Sequence, residues 1–110
     1  MNAITTHVLD LSSGLPAAGV AVRLERAEGE RWAEQGRART DADGRVRDGF
    51  GALLATGRYR LSFATGEYFA ARGVKSFHPE IDVVFDIVEL KHHHVPLLLS
   101  PFGYSTYRGS

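Results

Sequence analysis

The stretch that decides the arrangement of this 110-residue chain is residues 92–110, HHHVPLLLSPFGYSTYRGS. It combines a histidine run, an apolar strand, a Ser-Pro-Phe-Gly turn and a second short strand of polar residues. Chain ends are usually frayed and polar, whereas this one carries aromatic rings, an arginine and several hydroxyl groups. The pattern therefore predicts two last strands, over residues 92–99 and 104–108, and a functional site built on them.

Short alternating strands separated by turn residues occupy most of the chain before that stretch. We expect strands over residues 4–11, 20–25, 59–64 and 81–90, with a turn over residues 12–16. The first strand has no plainly polar face, so both of its faces are expected to be covered.

Further turn signals and one helical segment lie between these strands. Polar residues 28–34 predict a hairpin loop that leads into a strand ending at Thr40. Residues 41–44, Asp-Ala-Asp-Gly, predict a tight turn because Asp-Gly suits positive φ angles. Residues 67–72 form the one good helical stretch, and the glycines on either side keep it short. Several short strands with one helix predict a β-sandwich.

The composition excludes several classes of protein. Thirteen basic residues balance thirteen acidic ones, which argues against a nucleic-acid partner because phosphate binding needs a surplus of positive charge. Cysteine is absent, so disulfides, thiolate zinc sites and cysteine nucleophiles are excluded. No apolar run approaches the ~20 residues of a membrane span, and the first residues do not resemble a secretory signal. We expect one cytoplasmic domain over residues 1–110, with no membrane partner.

Histidines offer chemistry at two places in the chain. His92 and His94 share one face of a strand and His93 lies on the other, while His7 lies within the first predicted strand. The run could be solvated, could bind zinc with His7 as a third ligand, or could act in acid–base catalysis. A histidine like His7 is more commonly a half-buried structural residue. An unperturbed imidazole titrates near pH ~6.5, so either site could exchange protons at neutral pH.

The segment HVPLLLSPFGYSTYRGS resembles the C-terminal signature of the transthyretin-related 5-hydroxyisourate hydrolases. Its closing YRGS distinguishes those enzymes from transthyretin, the hormone carrier. The resemblance covers nearly the whole chain, since residues 6–10 (THVLD), 40–45 (TDADGR) and 77–81 (FHPEI) also match.

The resemblance implies an all-β, transthyretin-like β-sandwich of two four-stranded sheets with one short helix. It also implies hydrolysis of 5-hydroxyisourate to 2-oxo-4-hydroxy-4-carboxy-5-ureidoimidazoline in urate breakdown. The resemblance further implies a homotetramer with its sites where two dimers meet. It also implies hydrolysis without a metal ion. We therefore expect no cofactor and no metal.

Three site residues follow from matched motifs. His7 and His94 match the family's two catalytic histidines, and Arg45 matches its functional arginine directly after Asp-Gly. A planar guanidinium suits a substrate that offers two oxygens in one plane. Arg47 lies two residues further on, and we prefer Arg45 because the motif matches residue by residue.

The chain end supplies the remaining predicted site residues. Tyr107, Arg108 and Ser110 match the closing motif and are expected to bind the substrate, with Ser110 as a catalytic-site residue that positions it through hydrogen bonds. No nucleophile-elbow motif surrounds a serine, which argues against Ser110 as a nucleophile. His92 matches a position that is often histidine, which implies a supporting or channel role, and His78 is expected to be structural.

Two other functions stay open on the sequence. A non-catalytic carrier of transthyretin type would lack the YRGS ending. A zinc-dependent amidohydrolase would use the run from His92 to His94 as ligands. A structural adhesion sandwich is the weakest option, because it does not explain why His7 and Arg45 lie in matched motifs.

Overall fold

The computed structural model describes residues 3–53 and 55–110, in which the strands form two sheets around a shared core. The strands are β1 (Ile4–Asp10), β2 (Leu15–Pro16), β3 (Ala21–Glu28), β4 (Arg31–Arg39), β5 (Arg45–Val46), β6 (Gly57–Phe63), β7 (Ile81–Ile87), β8 (His93–Ser100) and β9 (Gly103–Thr106), and the helix is α1 (Thr65–Ala71). One sheet has the order β4-β3-β6-β7 and the other the order β2-β1-β8-β9, with β5 also paired to β1. The predicted all-β arrangement of two sheets with one short helix is confirmed.

The second sheet contains five strands, one more than the four that were predicted. Two of the five, β2 and β5, are only two residues long. β5 pairs with the middle of β1 and β2 pairs with its end. Both short strands therefore occupy the same edge of β1, and β8 occupies the other edge.

The long pairing in this sheet is the parallel one between β1 and β8, which runs from Ile4↔His93 to Asp10↔Leu99. Side chains alternate along β1, so that Val8 is fully buried while Thr5 and His7 are half-buried on the outward face. The same pairing sets Thr5 directly opposite His94. The histidine run is thereby brought to the N-terminal strand.

Large apolar side chains from both sheets and from α1 fill the core. The largest fully buried ones are Phe63, Phe69, Ile4, Leu61, Ile87, Leu97 and Leu99. Burying one such side chain stabilises a protein by about 1.5–3 kcal/mol. This burial fixes how the two sheets pack against each other. It therefore also fixes the positions of the residues on their outward faces.

Three predicted strand boundaries are wrong. Residues 31–34 were expected in a loop but belong to β4, because a tight turn containing Gly29 (φ 64°) already reverses the chain. β7 ends at Ile87, and the predicted continuation to Leu90 is exposed. The last strand ends at Thr106 and does not reach Arg108.

α1 begins at Thr65, two residues before the predicted start, and ends in a Schellman motif. The N–H of Gly73 (φ 69°) donates to the carbonyl of Ala70 at 3.0 Å, and the N–H of Val74 donates to the carbonyl of Phe69 at 3.0 Å. In the described part of the chain, no helix is long and apolar enough to cross a membrane.

A buried carboxylate ties α1 to the end of β1. The hydroxyl of Tyr68 donates to Asp10 Oδ2 at 2.8 Å, and the hydroxyl and N–H of Ser12 donate to Asp10 Oδ1 at 2.5 and 2.9 Å. Burial alone would raise the pKa of Asp10, but these hydrogen bonds outweigh it and hold that pKa below its ordinary value of 3.8. Burial and the bond to Asp10 raise the pKa of Tyr68 to about 12.

We expect Tyr68→Phe to lower the free energy of unfolding by about 1.5–3 kcal/mol, because it removes a buried hydrogen bond to a charged group. Urea unfolding at neutral pH and fixed protein concentration measures this loss. Since folding lowers the pKa of Asp10, the stabilisation is present above the unfolded pKa and disappears as the pH falls through the folded value. Tyr104→Phe is the control, because Tyr104 is exposed. Equal losses of unfolding free energy in the two variants would show that the hydrogen bond between Tyr68 and Asp10 does not stabilise the fold.

Candidate active site

The outward faces of β1 and β8, together with β5, border an open cleft of about 340 Å³. Its lining comprises Thr5, Thr6, Arg45, Val46, Arg47, His92, His94 and Ser110. Three of the predicted catalytic residues, Arg45, His94 and Ser110, are therefore brought together although they are far apart in sequence.

Arg45 is positioned by the Asp-Gly turn that precedes it. The carboxylate of Asp41 accepts a hydrogen bond from the backbone N–H of Arg45 at 3.0 Å. Gly44 has a φ of 75°, and a Cβ at this position would overlap the carbonyl oxygen of Val8. The turn is therefore closely fitted to β1, and the strand register then places Arg45 directly opposite His7.

His7 lies at the next outward position after Thr5 along β1. It is half-buried, with Arg45 as its pairing partner on β5 and Pro96 as its partner on β8. The cleft lining includes Arg45 but not His7. His7 is thus adjacent to the other predicted catalytic residues on the same face of the sheet.

The ring of His94 is held by a threonine hydroxyl. His94 Nδ1 lies 2.8 Å from Thr5 Oγ1, and the same oxygen lies 2.8 Å from His92 Nε2. This engages Nδ1 and leaves Nε2 as the nitrogen with which a ligand can interact. Burial lowers the pKa of His94 below its ordinary value of 6.5, and the positive charge of Arg45 and the nearby rings of His92 and His7 act in the same direction. His94 is therefore neutral at neutral pH and can accept a proton.

Gly109 explains why the chain end can pass beside the His94 ring. Its N–H donates to the carbonyl of His94 at 2.8 Å. A Cβ at this position would lie 2.5 Å from His94 Cδ2 and 3.2 Å from Pro96 Cγ, closer than a side chain tolerates. The absence of a side chain at Gly109 therefore allows Ser110 to reach the cleft.

Tyr107 and Arg108 line a neighbouring cleft of about 230 Å³, which shares His94 with the first. Its other walls come from residues 83–86 of β7 and from β8. Within a single chain, these two residues therefore line a different cleft from Arg45 and Ser110. Their predicted contact with the substrate stays a prediction.

The lining of the first cleft also contains residues that were not among the predicted site residues, namely Thr5, Thr6, Val46 and Arg47. Thr5 lies two residues before His7 on the same outward face of β1. The alternation of side chains along this strand is the feature of the sequence that could have identified Thr5 as a site residue. Arg47 was set aside in favour of Arg45, yet it also lines the cleft. Arg47 forms ion pairs with Asp41 at 3.7 Å and Asp43 at 3.3 Å, so its charge is already compensated.

The histidine run is not arranged as a set of metal ligands. His92 Nε2 and His94 Nδ1 both face the hydroxyl of Thr5, and the buried His93 has Nδ1 2.7 Å from the carbonyl oxygen of Lys91. Within residues 3–53 and 55–110, no group of three or more histidine, aspartate or glutamate side chains is placed to hold a metal ion. The ring nitrogens Nε2 of His92 and Nδ1 of His93 and His94 are therefore engaged in hydrogen bonds within the protein.

Comparison with known proteins identifies the family. The profile of the HIUase/Transthyretin family matches residues 4–109. The chain belongs to this family. It is 54% identical to the 5-hydroxyisourate hydrolase of Caulobacter vibrioides over 115 residues, with all of both chains covered. The predicted resemblance to the transthyretin-related hydrolases is thereby confirmed.

Solved structures agree with this assignment. The structure of Klebsiella pneumoniae 5-hydroxyisourate hydrolase matches with a TM-score of 0.89 and 43% identity, and all of both chains is covered. Transthyretin from Sparus aurata matches with a TM-score of 0.90 and 30% identity, covering 99% of this chain and 97% of that one. Hydrolase and carrier share the fold, so the distinction between them depends on the residues of the site.

We expect Arg45→Gln to raise the pKa of His94, because it removes a positive charge that disfavours the imidazolium form. Titration of the side-chain resonances of His94 by NMR measures this change. Arg47→Gln is the matched control in the same cleft, since the charge of Arg47 is compensated by Asp41 and Asp43, and its effect should be smaller. An unchanged or lowered pKa in Arg45→Gln would show that the two groups do not interact.

Proposed function

We propose that this protein hydrolyses 5-hydroxyisourate to 2-oxo-4-hydroxy-4-carboxy-5-ureidoimidazoline in urate breakdown. The observation that carries the proposal is the convergence of neutral His94, Arg45 and Ser110 on one cleft. It occurs in a chain that is 54% identical to a 5-hydroxyisourate hydrolase over its full length. The substrate is a small planar bicycle with a cyclic amide, and the cleft volume of about 340 Å³ falls in the range of small-molecule sites.

Opening a cyclic amide requires a base for the attacking water, a proton for the leaving nitrogen and positive charge near the carbonyl oxygen. We assign the first task to His7, which orients and deprotonates the water. His94 hydrogen-bonds to the substrate and relays a proton, a role that its lowered pKa supports. Arg45 stabilises the negative charge that develops on the substrate oxygens.

The chain end completes this assignment. Ser110 lies in the cleft and positions the substrate through hydrogen bonds. Tyr107 and Arg108 border His94 from the neighbouring cleft, where they close the pocket and fix the substrate ring. Gly109 lies between Arg108 and Ser110 and contacts His94, so the residues on either side of it are both held near this histidine.

We also infer a homotetramer in which the sites lie where two dimers meet. In one protomer the cleft is open, and half-buried Leu9 and Leu98 lie on the same outward face as His7. An apolar face of this kind is suited to contact with another protein surface. A second copy on this face would close the cleft and exclude water from the reaction.

We expect freshly generated 5-hydroxyisourate to decay faster with this protein than without it, as followed by ultraviolet absorbance. His7→Ala and His94→Ala should each lower turnover by roughly 10²-fold or more, the usual contribution of a positioned acid or base. His78→Ala is the histidine control and should retain activity, because His78 packs against Phe77 and Tyr104 outside the cleft.

The outcomes of this assay separate the candidate functions. No acceleration by the wild-type protein would favour a carrier over an enzyme. Loss of activity on chelation, restored by added zinc, would favour the zinc amidohydrolase. Wild-type turnover in a folded His7 or His94 variant of unchanged oligomeric state would refute the role of that residue.

We expect Gly109→Ala to lower turnover by about 10²-fold, because the new Cβ must displace the His94 ring or the tail and a shift of about 1 Å in a positioning group can have this effect. Deletion of residues 108–110 should impair turnover at least as strongly and leave the fold intact, since β9 ends at Thr106. Gly103→Ala is the matched control, because a Cβ there meets its nearest neighbour, Ser100 Oγ, at an ordinary 3.7 Å. Equal activity of the two glycine variants would show that the tail does not position His94.

A further inference from the structure

A single threonine hydroxyl lies between two imidazole rings at the cleft. Thr5 pairs directly with His94 across the β1–β8 ladder, and both side chains lie on the outward face. Thr5 Oγ1 is 2.8 Å from His94 Nδ1 and 2.8 Å from His92 Nε2. Both distances lie in the ordinary range of hydrogen bonds between nitrogen and oxygen. The three groups therefore form a continuous chain from the half-buried ring of His94 to the exposed ring of His92, which also lines the cleft.

The chemistry of a hydroxyl couples the two rings. A threonine hydroxyl has one proton to donate and two lone pairs that accept, and a neutral imidazole has one N–H and one bare nitrogen. When Thr5 donates to His92 Nε2, it accepts from the Nδ1–H of His94, and both rings carry their proton on Nδ1. When Thr5 donates to His94 Nδ1, it accepts from the Nε2–H of His92, and both rings carry their proton on Nε2. The two tautomers therefore change together.

We propose that the chain His94–Thr5–His92 is a proton relay between half-buried His94 and exposed His92, with Thr5 as the residue that positions His94 and sets its tautomer. The proposal rests on the proposed hydrolysis, which requires proton transfers at the substrate. In the Nε2–H arrangement His94 presents a donor to the substrate, and in the Nδ1–H arrangement it presents a bare Nε2 that accepts.

The electrostatics of the cleft explain why such a relay is useful. Burial and the charge of Arg45 disfavour the imidazolium form of His94. Through the relay, a proton leaves Nε2 of His94 while another arrives at its Nδ1 from Thr5, so the ring stays neutral. The charged form is confined to His92, which is the more exposed of the two rings.

The proton inventory balances over one turnover. As the C–N bond of the amide breaks, the Nε2–H of His94 passes its proton to the leaving nitrogen. The Thr5 proton then moves to His94 Nδ1, the His92 Nε2 proton moves to Thr5, and His92 takes up a proton from buffer at Nδ1.

The new carboxylic acid then gives its proton to His94 Nε2, and the chain runs in reverse, releasing one proton from His92 Nδ1. His7 separately releases the proton of the attacking water. One proton is taken up and two are released, and the net release of one proton matches formation of a carboxylate and a non-basic ureido nitrogen.

The first test reads the tautomers of the free protein by side-chain ¹⁵N NMR, at a pH where both rings are neutral, and does not depend on turnover. We expect His92 and His94 to show the same fraction of Nδ1–H. Thr5→Val should abolish this correlation, and Thr5→Ser should retain it. A proton on Nε2 of His92 together with a proton on Nδ1 of His94 would mean that the Thr5 hydroxyl accepts a hydrogen bond from both rings and donates to neither. This result would overturn the relay. Identical spectra of wild type and Thr5→Val at both rings would overturn it as well.

The second test uses turnover of 5-hydroxyisourate. Thr5→Val should lower kcat by about 10-fold or more and should change kcat more than KM, because it disturbs a positioned proton donor but keeps the size of a side chain that lines the cleft. Thr5→Ser should recover most of kcat. His92→Ala should make kcat depend on the concentration of imidazole buffer, whereas wild type and His78→Ala should not. A wild-type kcat for His92→Ala in dilute buffer would contradict the relay. Inactivity of the wild-type protein would instead refute the proposed function, while the tautomer measurement would still decide the hydrogen-bond chain.

Discussion

The parallel pairing of β1 with β8 is the constraint on which both the core and the candidate site depend. The inward side chains of this pair, such as Val8 and Leu97, are fully buried. The outward ones include Thr5 and His94, which face each other across the ladder. Because side chains alternate with a period of two, a slip of one residue would expose the apolar side chains and turn the site residues into the core. The hydrophobic energy of folding therefore also fixes the geometry of the cleft.

Two close backbone contacts bring the remaining groups to this face. At Gly44 a side chain would overlap the Val8 carbonyl, so the turn before β5 fits tightly against β1 and delivers Arg45. At Gly109 a side chain would collide with the ring of His94, so the tail can run past this ring only without one. Arg45 in turn helps to keep His94 neutral, which is the form that exchanges protons at neutral pH. The positions of these glycines thus connect the path of the backbone to the electrostatics of the site.

The sequence predicted those features that depend on local patterns. Strand alternation placed His92 and His94 on one face, and the Asp-Gly signal located the turn before Arg45. The bridge through Thr5 could not be predicted in this way, because it depends on the register of two strands that lie nearly the whole chain apart. The division of the tail between two clefts depends on how Gly109 fits against His94, which is a property of packing. The loop expected over residues 31–34 was wrong because polar residues on an exposed strand resemble a loop, whereas a short turn at Gly29 is sufficient.

We propose that the cleft beside His94 binds the purine-derived substrate. Size alone does not decide this, because the four-stranded sheet carries a groove of about 580 Å³ whose lining includes Arg23, Arg37 and Arg39. The most direct test is a crystal structure of the protein with urate, a stable planar relative of the proposed substrate. We expect urate density between Arg45 and His94, within reach of Ser110. Urate density in the arginine-lined groove, with none beside His94, would contradict it.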